Sequence, residues 1–118
     1  MPAVDLLPVT DVSAVVRCSP PPTQPITASD AETVARTFKA LADPARVRIL
    51  SIVASHTDQE ACVCELQEPL GLSQPTVSHH LKVLTDAGFL TRSKRGTWAY
   101  YALVPGALDA AAGVLATV

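Results

Sequence analysis

Apolar residues recur at intervals of three and four along most of the chain after its first quarter, a spacing typical of amphipathic helices. Residues 1–28 contain six of the ten prolines and have no sustained period. Proline fixes the backbone and removes a hydrogen-bond donor, so this stretch predicts an extended N-terminal arm. We therefore expect two regions, an arm over residues 1–28 and a folded domain over residues 29–118.

Capping residues mark where the helices begin. Ser29 with Glu32 three positions later forms a capping box, which predicts a first helix over residues 30–41. Asp43 followed by Pro44 predicts a second helix, because proline at the first helical position costs no hydrogen bond. The apolar residues expected on the buried side of this second helix are Val47, Ile49, Leu50 and Val53.

A short third helix is expected over residues 61–70, and a fourth begins after Ser73 and ends at Gly88. The apolar residues of the fourth helix repeat at i, i+4 and i+7 and must point inward: Val77, Leu81 and Leu84. Its polar residues are thereby directed to the opposite side: Gln74, Thr76, Ser78, His79 and Lys82.

Two short strands are expected over residues 90–94 and 97–103, joined by the hairpin dipeptide Arg95-Gly96. The last stretch, residues 105–118, is apolar all round, with Asp109 as its only charge. The apolar surface of such a helix must be buried against another part of the protein. The simplest partner is a second subunit, which contributes the same helix together with its first helix.

Composition limits the class of protein. A length of 118 residues allows one domain, and 48% hydrophobic with only 4% aromatic residues requires an aliphatic core. The expected fold class is mostly α with a small β-hairpin. No secretion signal and no membrane-spanning stretch is visible, so we expect a cytoplasmic protein without a membrane partner. No nucleophile with a base, phosphate loop or paired carboxylates appear, so an enzyme is not expected.

Charge is segregated along the chain. The net charge of -2 argues against a uniformly basic surface. Residues 72–103, however, carry four basic side chains against Asp86 alone: Lys82, Arg92, Lys94 and Arg95. Acidic residues cluster just upstream, at Asp58, Glu60, Glu65 and Glu68. DNA can therefore meet a locally positive face.

Two helices joined by a tight turn and followed by a basic hairpin have the layout of a winged helix-turn-helix. A helix fits the major groove, where polar side chains meet base edges, while helix N-termini and basic residues hold phosphates. The residues expected to contact double-stranded operator DNA are Ser73, Gln74, Thr76, Ser78, His79, Lys82, Arg92, Lys94 and Arg95. The competing interpretation is an ordinary helical pair with a solvated polar face.

Three segments match a known pattern in order and spacing: KALADPARVRIL at 39–50, CVCEL at 62–66 and LSQPTVSHHL at 72–81. Together they resemble the ArsR/SmtB family of bacterial metal-responsive repressors, of the arsenic-responsive type. The resemblance implies a homodimer, built on the first and last helices, that blocks transcription until an inducing ion binds. It also implies that Gln74, Ser78 and His79 read bases. For His80, one place nearer the core, a structural hydrogen-bonding role stays open.

Cys62 and Cys64 are the second candidate for chemistry. Residues two apart on a regular helix point about 200° away from each other. One ion can therefore be held by both thiolates only if the turn unwinds or the pair lies at a helix start. We expect coordination to distort the third helix and so shift the DNA-reading helix that follows it.

Two thiolates make a weak site, so a third ligand is needed. Gln67 stands where some ArsR-like repressors place a third cysteine, which leaves Cys18 of the arm, from the same or the partner subunit. Three thiolates without a fourth ligand suit As(III) or Sb(III), and Cd(II) and Pb(II) also accept thiolates. Zinc requires a fourth ligand, and the nearest candidates, His56, Asp58 and Glu60, form no recognisable pattern.

Other interpretations of the thiols stay open. Free cysteines are often buried as small apolar residues, and Cys18 could be an incidental thiol of the arm. In the same fold, oxidation of Cys62 and Cys64 could replace ion binding as the signal, which gives a redox-sensing repressor. A cytosolic thiol protein that buffers metal is the alternative of another class, and it leaves the polar helix and basic hairpin unexplained.

Overall fold

The computed structural model describes residues 24–117. Within that range the chain forms five helices and three strands in the order α1 Ala28–Leu41, α2 Pro44–Ser55, β1 Glu60–Cys62, α3 Val63–Leu70, α4 Gln74–Asp86, β2 Leu90–Arg95, β3 Trp98–Leu103 and α5 Ala107–Thr117. The expected fold class, mostly α with a β-hairpin, is confirmed. Most of the predicted arm, including Cys18, lies outside the described residues, so the division at residue 28 stays a prediction.

Polar side chains determine where the first two helices begin. Thr27, and not Ser29, caps α1, because its Oγ1 accepts a hydrogen bond from the backbone N–H of Asp30 at 3.1 Å. The helix therefore starts two residues earlier than predicted. The predicted cap of α2 is confirmed, since Asp43 Oδ1 accepts from the N–H of Ala45 at 2.8 Å.

The buried face of α2 differs from the prediction at one position. Ile49, Leu50 and Val53 are buried, but Val47 is 53% exposed. Arg46 takes the inward place instead, because residues 46, 49, 50 and 53 are spaced i, i+3, i+4 and i+7 along one helical face. Val47 lies about 100° away from Arg46 around the helix.

The three strands form one antiparallel sheet in the order β1-β3-β2. Strand β1 was not predicted, and it takes Ala61 and Cys62 from the expected third helix, which begins at Val63. The hairpin turn is also shifted by one residue. Arg95 pairs with Trp98, so the turn is Gly96-Thr97, with Gly96 at a φ of 64° that favours glycine.

One apolar core lies between α2, α3, α4 and the sheet. Its largest fully buried side chains are Phe89, Ile49, Leu66, Leu81, Leu84, Leu90, Val53 and Val77. Among the described residues, no buried side-chain nitrogen or oxygen lacks a hydrogen-bond partner. In residues 24–117, no helix has the length and apolar character needed to cross a membrane.

The terminal helix α5 packs against α1 with its small residue Ala111, which is 7% exposed. Larger apolar side chains of the same helix face outward, since Leu108 is 41% and Leu115 52% exposed. Ile26, just before α1, is 41% exposed. The two ends of the described chain therefore carry apolar surface.

Candidate nucleic-acid interface and thiol site

Helices α3 and α4 are joined by a tight turn, as a helix-turn-helix requires. Gly71 ends α3 in the left-handed conformation, with a φ of 67°. Ser73 caps α4, because its Oγ accepts a hydrogen bond from the N–H of Thr76 at 3.4 Å. The two hydroxyls also lie 3.0 Å apart. Ser73 and Thr76, both predicted to contact DNA, are thus exposed residues that also hold the start of α4.

The two faces of α4 are those predicted. Its three inward residues are fully buried: Val77, Leu81 and Leu84. Of its predicted DNA-contacting residues, Ser78 is half-buried and the others are exposed: Gln74, Thr76, His79 and Lys82. Lys82 Nζ donates to Asp86 Oδ2 at 2.9 Å, in an exposed i, i+4 pair. Its positive charge is therefore partly balanced within the helix.

His80 has a structural contact that ties α4 to α2. Arg46 Nη1 lies 3.2 Å from His80 Nδ1, and Arg46 Nε donates to the carbonyl oxygen of Ala40 at 2.8 Å. A guanidinium only donates, so His80 Nδ1 accepts in this pair. His80 therefore has the hydrogen-bonding role that the sequence left open.

The basic residues of the hairpin do not act as one group. Arg92 and Lys94 alternate with Arg95 along β2, so Arg95 projects to the opposite face of the sheet. Its guanidinium binds Glu60 of β1 through two hydrogen bonds, of 2.6 and 2.8 Å. It also lies 4.6 Å from the centre of the Tyr100 ring. Of the three hairpin residues predicted to contact DNA, only Arg92 and Lys94 therefore lie on the same face of the sheet.

The Glu60 and Arg95 pair also alters the protonation of both groups. The hydrogen bonds from Arg95 hold the pKa of the Glu60 carboxyl below its ordinary value. The same bonds raise the pKa of Arg95. Both side chains therefore stay charged at neutral pH, and the positive charge of Arg95 is compensated by a neighbouring carboxylate.

Cys62 and Cys64 lie at the junction of β1 and α3, and their Sγ atoms are joined in a disulfide. Cys62 is the N-cap of α3 with an extended backbone, at φ -91° and ψ 166°, while Cys64 is in the first turn. The Cα atoms are 5.4 Å apart. The pair therefore lies at a helix start, one of the two arrangements that the sequence allowed. The sulfurs meet here without unwinding of α3, and the expected distortion of this helix by a bound ion stays a prediction.

Exposure differs between the two cysteines. Cys62 is buried, with 5% of its surface exposed, whereas Cys64 is exposed. The interpretation of both residues as buried apolar side chains thus applies to Cys62 alone. A reagent from solution reaches the pair from the side of Cys64.

Glu65 holds the junction of β1 and α3, which carries the two cysteines, through contacts to Cys62 and His56. Its Oε1 accepts from the backbone N–H of Cys62 at 2.9 Å, and its Oε2 lies 3.4 Å from His56 Nε2. His56 Nδ1 in turn lies 2.9 Å from the carbonyl oxygen of Ile52. This chain of contacts connects the end of α2 to the end of β1.

The described residues do not contain a complete metal site. No group of three or more His, Cys, Asp or Glu side chains within residues 24–117 is arranged to hold an ion. His56, considered as a zinc ligand, contacts Glu65 instead. A third ligand for Cys62 and Cys64 would have to come from another part of the chain or from a second subunit, and Cys18 lies outside the described residues.

Comparisons with known proteins are consistent with this architecture. The sequence model of the family described as "Bacterial regulatory protein, arsR family" matches residues 43–92. An uncharacterized HTH-type transcriptional regulator of Methanocaldococcus jannaschii, MJ1325, is 42% identical over 73 residues, which are 62% of this chain and 80% of that protein. The arsenic resistance transcriptional regulator ArsR1 of Pseudomonas putida is 47% identical over 68 residues, 58% of this chain and 52% of that protein.

A solved structure gives the same result at the level of the fold. A homodimeric winged helix-turn-helix DNA-binding domain from Mycobacterium bovis, described as a possible ArsR-family transcriptional regulator, matches with a TM-score of 0.62 and 25% identity. The match covers 79% of this chain and 86% of that one. The chain thus spans most of the archaeal and mycobacterial relatives but about half of the Pseudomonas regulator.

Proposed function

The chain belongs to the ArsR family of bacterial regulatory proteins, and on this premise we propose that it is a homodimeric transcriptional repressor released from operator DNA by As(III) or Sb(III). The observation that carries the proposal is the convergence of Cys62 and Cys64 at the first turn of α3. That helix leads directly into α4, the helix that presents polar side chains to solvent. A ligand that binds both sulfurs thus acts next to the DNA-reading unit.

Operator binding is supported by the exposed face of α4 and by the hairpin. Gln74, Ser78 and His79 supply hydrogen-bonding groups of the kind that read base edges in the major groove. Arg92 and Lys94 project from the hairpin, and within the described residues neither has an ion-pair partner. Their charges are available for phosphates beside the groove.

Dimerisation is supported by the apolar surface at the two ends of the described chain. Leu108 and Leu115 of α5 and Ile26 before α1 expose between 41% and 52% of their surface to solvent. The mycobacterial relative is a homodimer of the same fold. A dimer presents two α4 helices, and two half-sites about one DNA turn apart then give a near-palindromic operator.

The thiol site consists of Cys62 and Cys64 in the reduced state, with Cys18 as third ligand. Arsenous acid exchanges each of its three hydroxyl groups for a cysteine sulfur. Each thiol proton leaves with the displaced hydroxyl as one water, and no oxidation state changes. Cd(II) and Pb(II) also accept thiolates and are the alternative inducers. Cys18 belongs to the same subunit or to its partner.

Arsenite titration of the reduced protein tests this function. A duplex selected from a random-sequence pool by the protein itself replaces the unknown operator. We expect arsenite to weaken binding of this duplex and X-ray absorption to count three sulfurs around arsenic. Retention of all three sulfurs in Cys18→Ser would exclude the arm thiol as a ligand. Equal affinity with and without arsenite, Cd(II) and Pb(II) would refute an ion-released repressor.

The disulfide favours a second candidate, a redox-sensing repressor of the same fold. Peroxide would oxidise the two thiols to the Cys62–Cys64 disulfide and be reduced to two waters. The proximity of the sulfurs supports this reaction as directly as it supports ion binding. If peroxide releases the duplex and arsenite does not, the redox function replaces the proposed one.

A further inference from the structure

Cys62 of the thiol pair lies in the same sheet as the hairpin. Glu60 and Cys62 are two residues apart on β1 and therefore project to the same face. Tyr100 of β3 is directly opposite Cys62, and residues opposite each other in paired strands share a face. Arg95 of β2 is opposite Trp98, two residues before Tyr100, and lies on that face as well.

Arg95 connects the two outer strands across the central one. Because β3 lies between β1 and β2, the Arg95 side chain must pass over Tyr100 to reach Glu60. Its two hydrogen bonds to the carboxylate, at 2.6 and 2.8 Å, fix both ends of the guanidinium. We call Glu60, Tyr100 and Arg95 the sheet clamp.

The sheet clamp has a geometry that an incidental surface pair lacks. Exposed ion pairs contribute little to stability unless the arrangement is bidentate or part of a network. Here the contact is bidentate, Glu60 is only 20% exposed, and the guanidinium rests on an aromatic ring. Such a contact defines the position of the end of β2 relative to β1, even where its net contribution to folding is small.

We propose that Glu60 and Arg95 are positioning residues that transmit the state of the thiol pair to the hairpin. In the reduced protein the two sulfurs are no longer bonded to each other as they are in the disulfide, and an ion held by both fixes them at a new separation. Cys62 ends β1, so this separation moves β1 and with it Glu60, two residues earlier. Because Arg95 is hydrogen-bonded to Glu60, it moves with Glu60. This movement shifts the end of β2, where Lys94 is located. This proposal depends on the proposed function, because it describes how that site reaches the DNA-binding surface.

The experiment compares Glu60→Gln with Glu68→Gln. Both substitutions remove one negative charge near the thiols, but Glu68 is an exposed residue of α3 outside the sheet clamp. For each protein we measure the coupling factor, the ratio of duplex Kd with and without arsenite. We expect the wild type and Glu68→Gln to show a coupling factor of about 5–150, and Glu60→Gln about 2 or less with arsenite affinity retained.

Trp98 gives a second measurement that needs no DNA. It is the only tryptophan, lies in the hairpin, and is 58% exposed. We expect its emission to differ between the reduced, arsenite-bound and disulfide states of the wild type and of Glu68→Gln. In Glu60→Gln these differences should be lost, because the hairpin no longer follows β1.

The outcomes separate the two proposals. A wild type that responds to arsenite, together with a Glu60→Gln variant that keeps the full coupling factor and emission change, overturns the sheet clamp alone. A wild type with no response to arsenite refutes the proposed function, and the clamp's role with it. If Glu60→Gln fails to fold by circular dichroism, Arg95→Gln gives the same test through its coupling factor. Exchange of the charges in Glu60→Arg with Arg95→Glu should restore coupling.

Discussion

Arg46 Nη1 lies 3.2 Å from His80 Nδ1, and this contact holds helix α4 from its inner side. Arg46 also donates to the carbonyl oxygen of Ala40 at the end of α1. One guanidinium therefore connects three helices. Adjacent histidines of α4 consequently have different tasks, since His79 is exposed and His80 is half-buried against α2.

We expect His80→Ala to lower the Tm by about 4–8 °C, the shift that corresponds to loss of one partly buried hydrogen bond worth about 1 kcal/mol in a small domain. The His80→Ala variant should keep the DNA sequence preference of the wild type. His79→Ala should have the opposite profile, with an unchanged Tm and about tenfold or greater loss of discrimination at one base pair. Thermal melts and selection from random duplexes measure the two effects. Identical behaviour of the two variants would contradict this division.

Acid should weaken the cap of α2. Burial acts to raise the pKa of Asp43, but hydrogen bonds from the backbone N–H groups of Ala45 and Arg46, together with the positive charge of Arg46, hold it below its ordinary value. A group with a lowered folded-state pKa stabilises the protein above its unfolded pKa, about 3.9 for Asp, and loses this contribution as pH falls through the folded value.

The comparison that checks this is Asp43→Asn, which keeps a capping side chain and removes the charge. We expect the wild type to be the more stable protein between pH 5 and 7, as the midpoint of urea unfolding measures, with the difference shrinking below about pH 4. A difference that stays constant down to about pH 2 would show that the Asp43 charge does not contribute.

The hairpin residues should differ in their effect on salt dependence. Arg92→Gln and Lys94→Gln are each expected to reduce the slope of log Kd against log salt by about 1, the value for one lost phosphate contact. Arg95→Gln should change the slope much less, because Glu60 already compensates its charge. Fluorescence anisotropy over a salt series measures all three. An equal reduction for Arg95→Gln would show that DNA displaces Glu60.

Cys62→Ser and Cys64→Ser should both abolish release by arsenite while preserving DNA binding. Their effects on folding should differ, because Cys62 is 5% exposed and Cys64 is exposed. We expect Cys62→Ser to lower the Tm by several degrees and Cys64→Ser to leave it nearly unchanged. Duplex binding with and without arsenite, combined with thermal melts, measures both effects. Loss of folding and DNA binding in both variants would support a purely structural role for the pair.

Local signals predicted the helices and their order well. Asp43, Ser73 and Gly88 act through contacts within a few residues, so their caps and turns could be inferred from sequence spacing. The apolar character of Val47 predicts a core position, whereas the inward position belongs to Arg46, whose head group contacts two other helices. The residue type of Arg46 does not reveal that its guanidinium has hydrogen-bond partners on the inner side of the helix.

The contacts missed by the sequence are long-range. Strand β1 has three residues and no alternation of its own, and it exists because β3 offers a paired edge about 40 residues later. Glu60 and Arg95 are 35 residues apart, and their sequence context predicts an acidic cluster for one and a DNA contact for the other. Charge patterning identified both residues but could not show that they meet.

The chain passes from β1 to α3 without a single intervening residue, since Cys62 ends the strand and Val63 begins the helix. A loop at that junction would absorb a local displacement by changing its own backbone angles. The junction contains no such loop, so a displacement of the Cys62 backbone passes directly to both the strand and the helix. In the proposed repressor, a bound ion of atomic size would act at this junction on two elements of secondary structure at once.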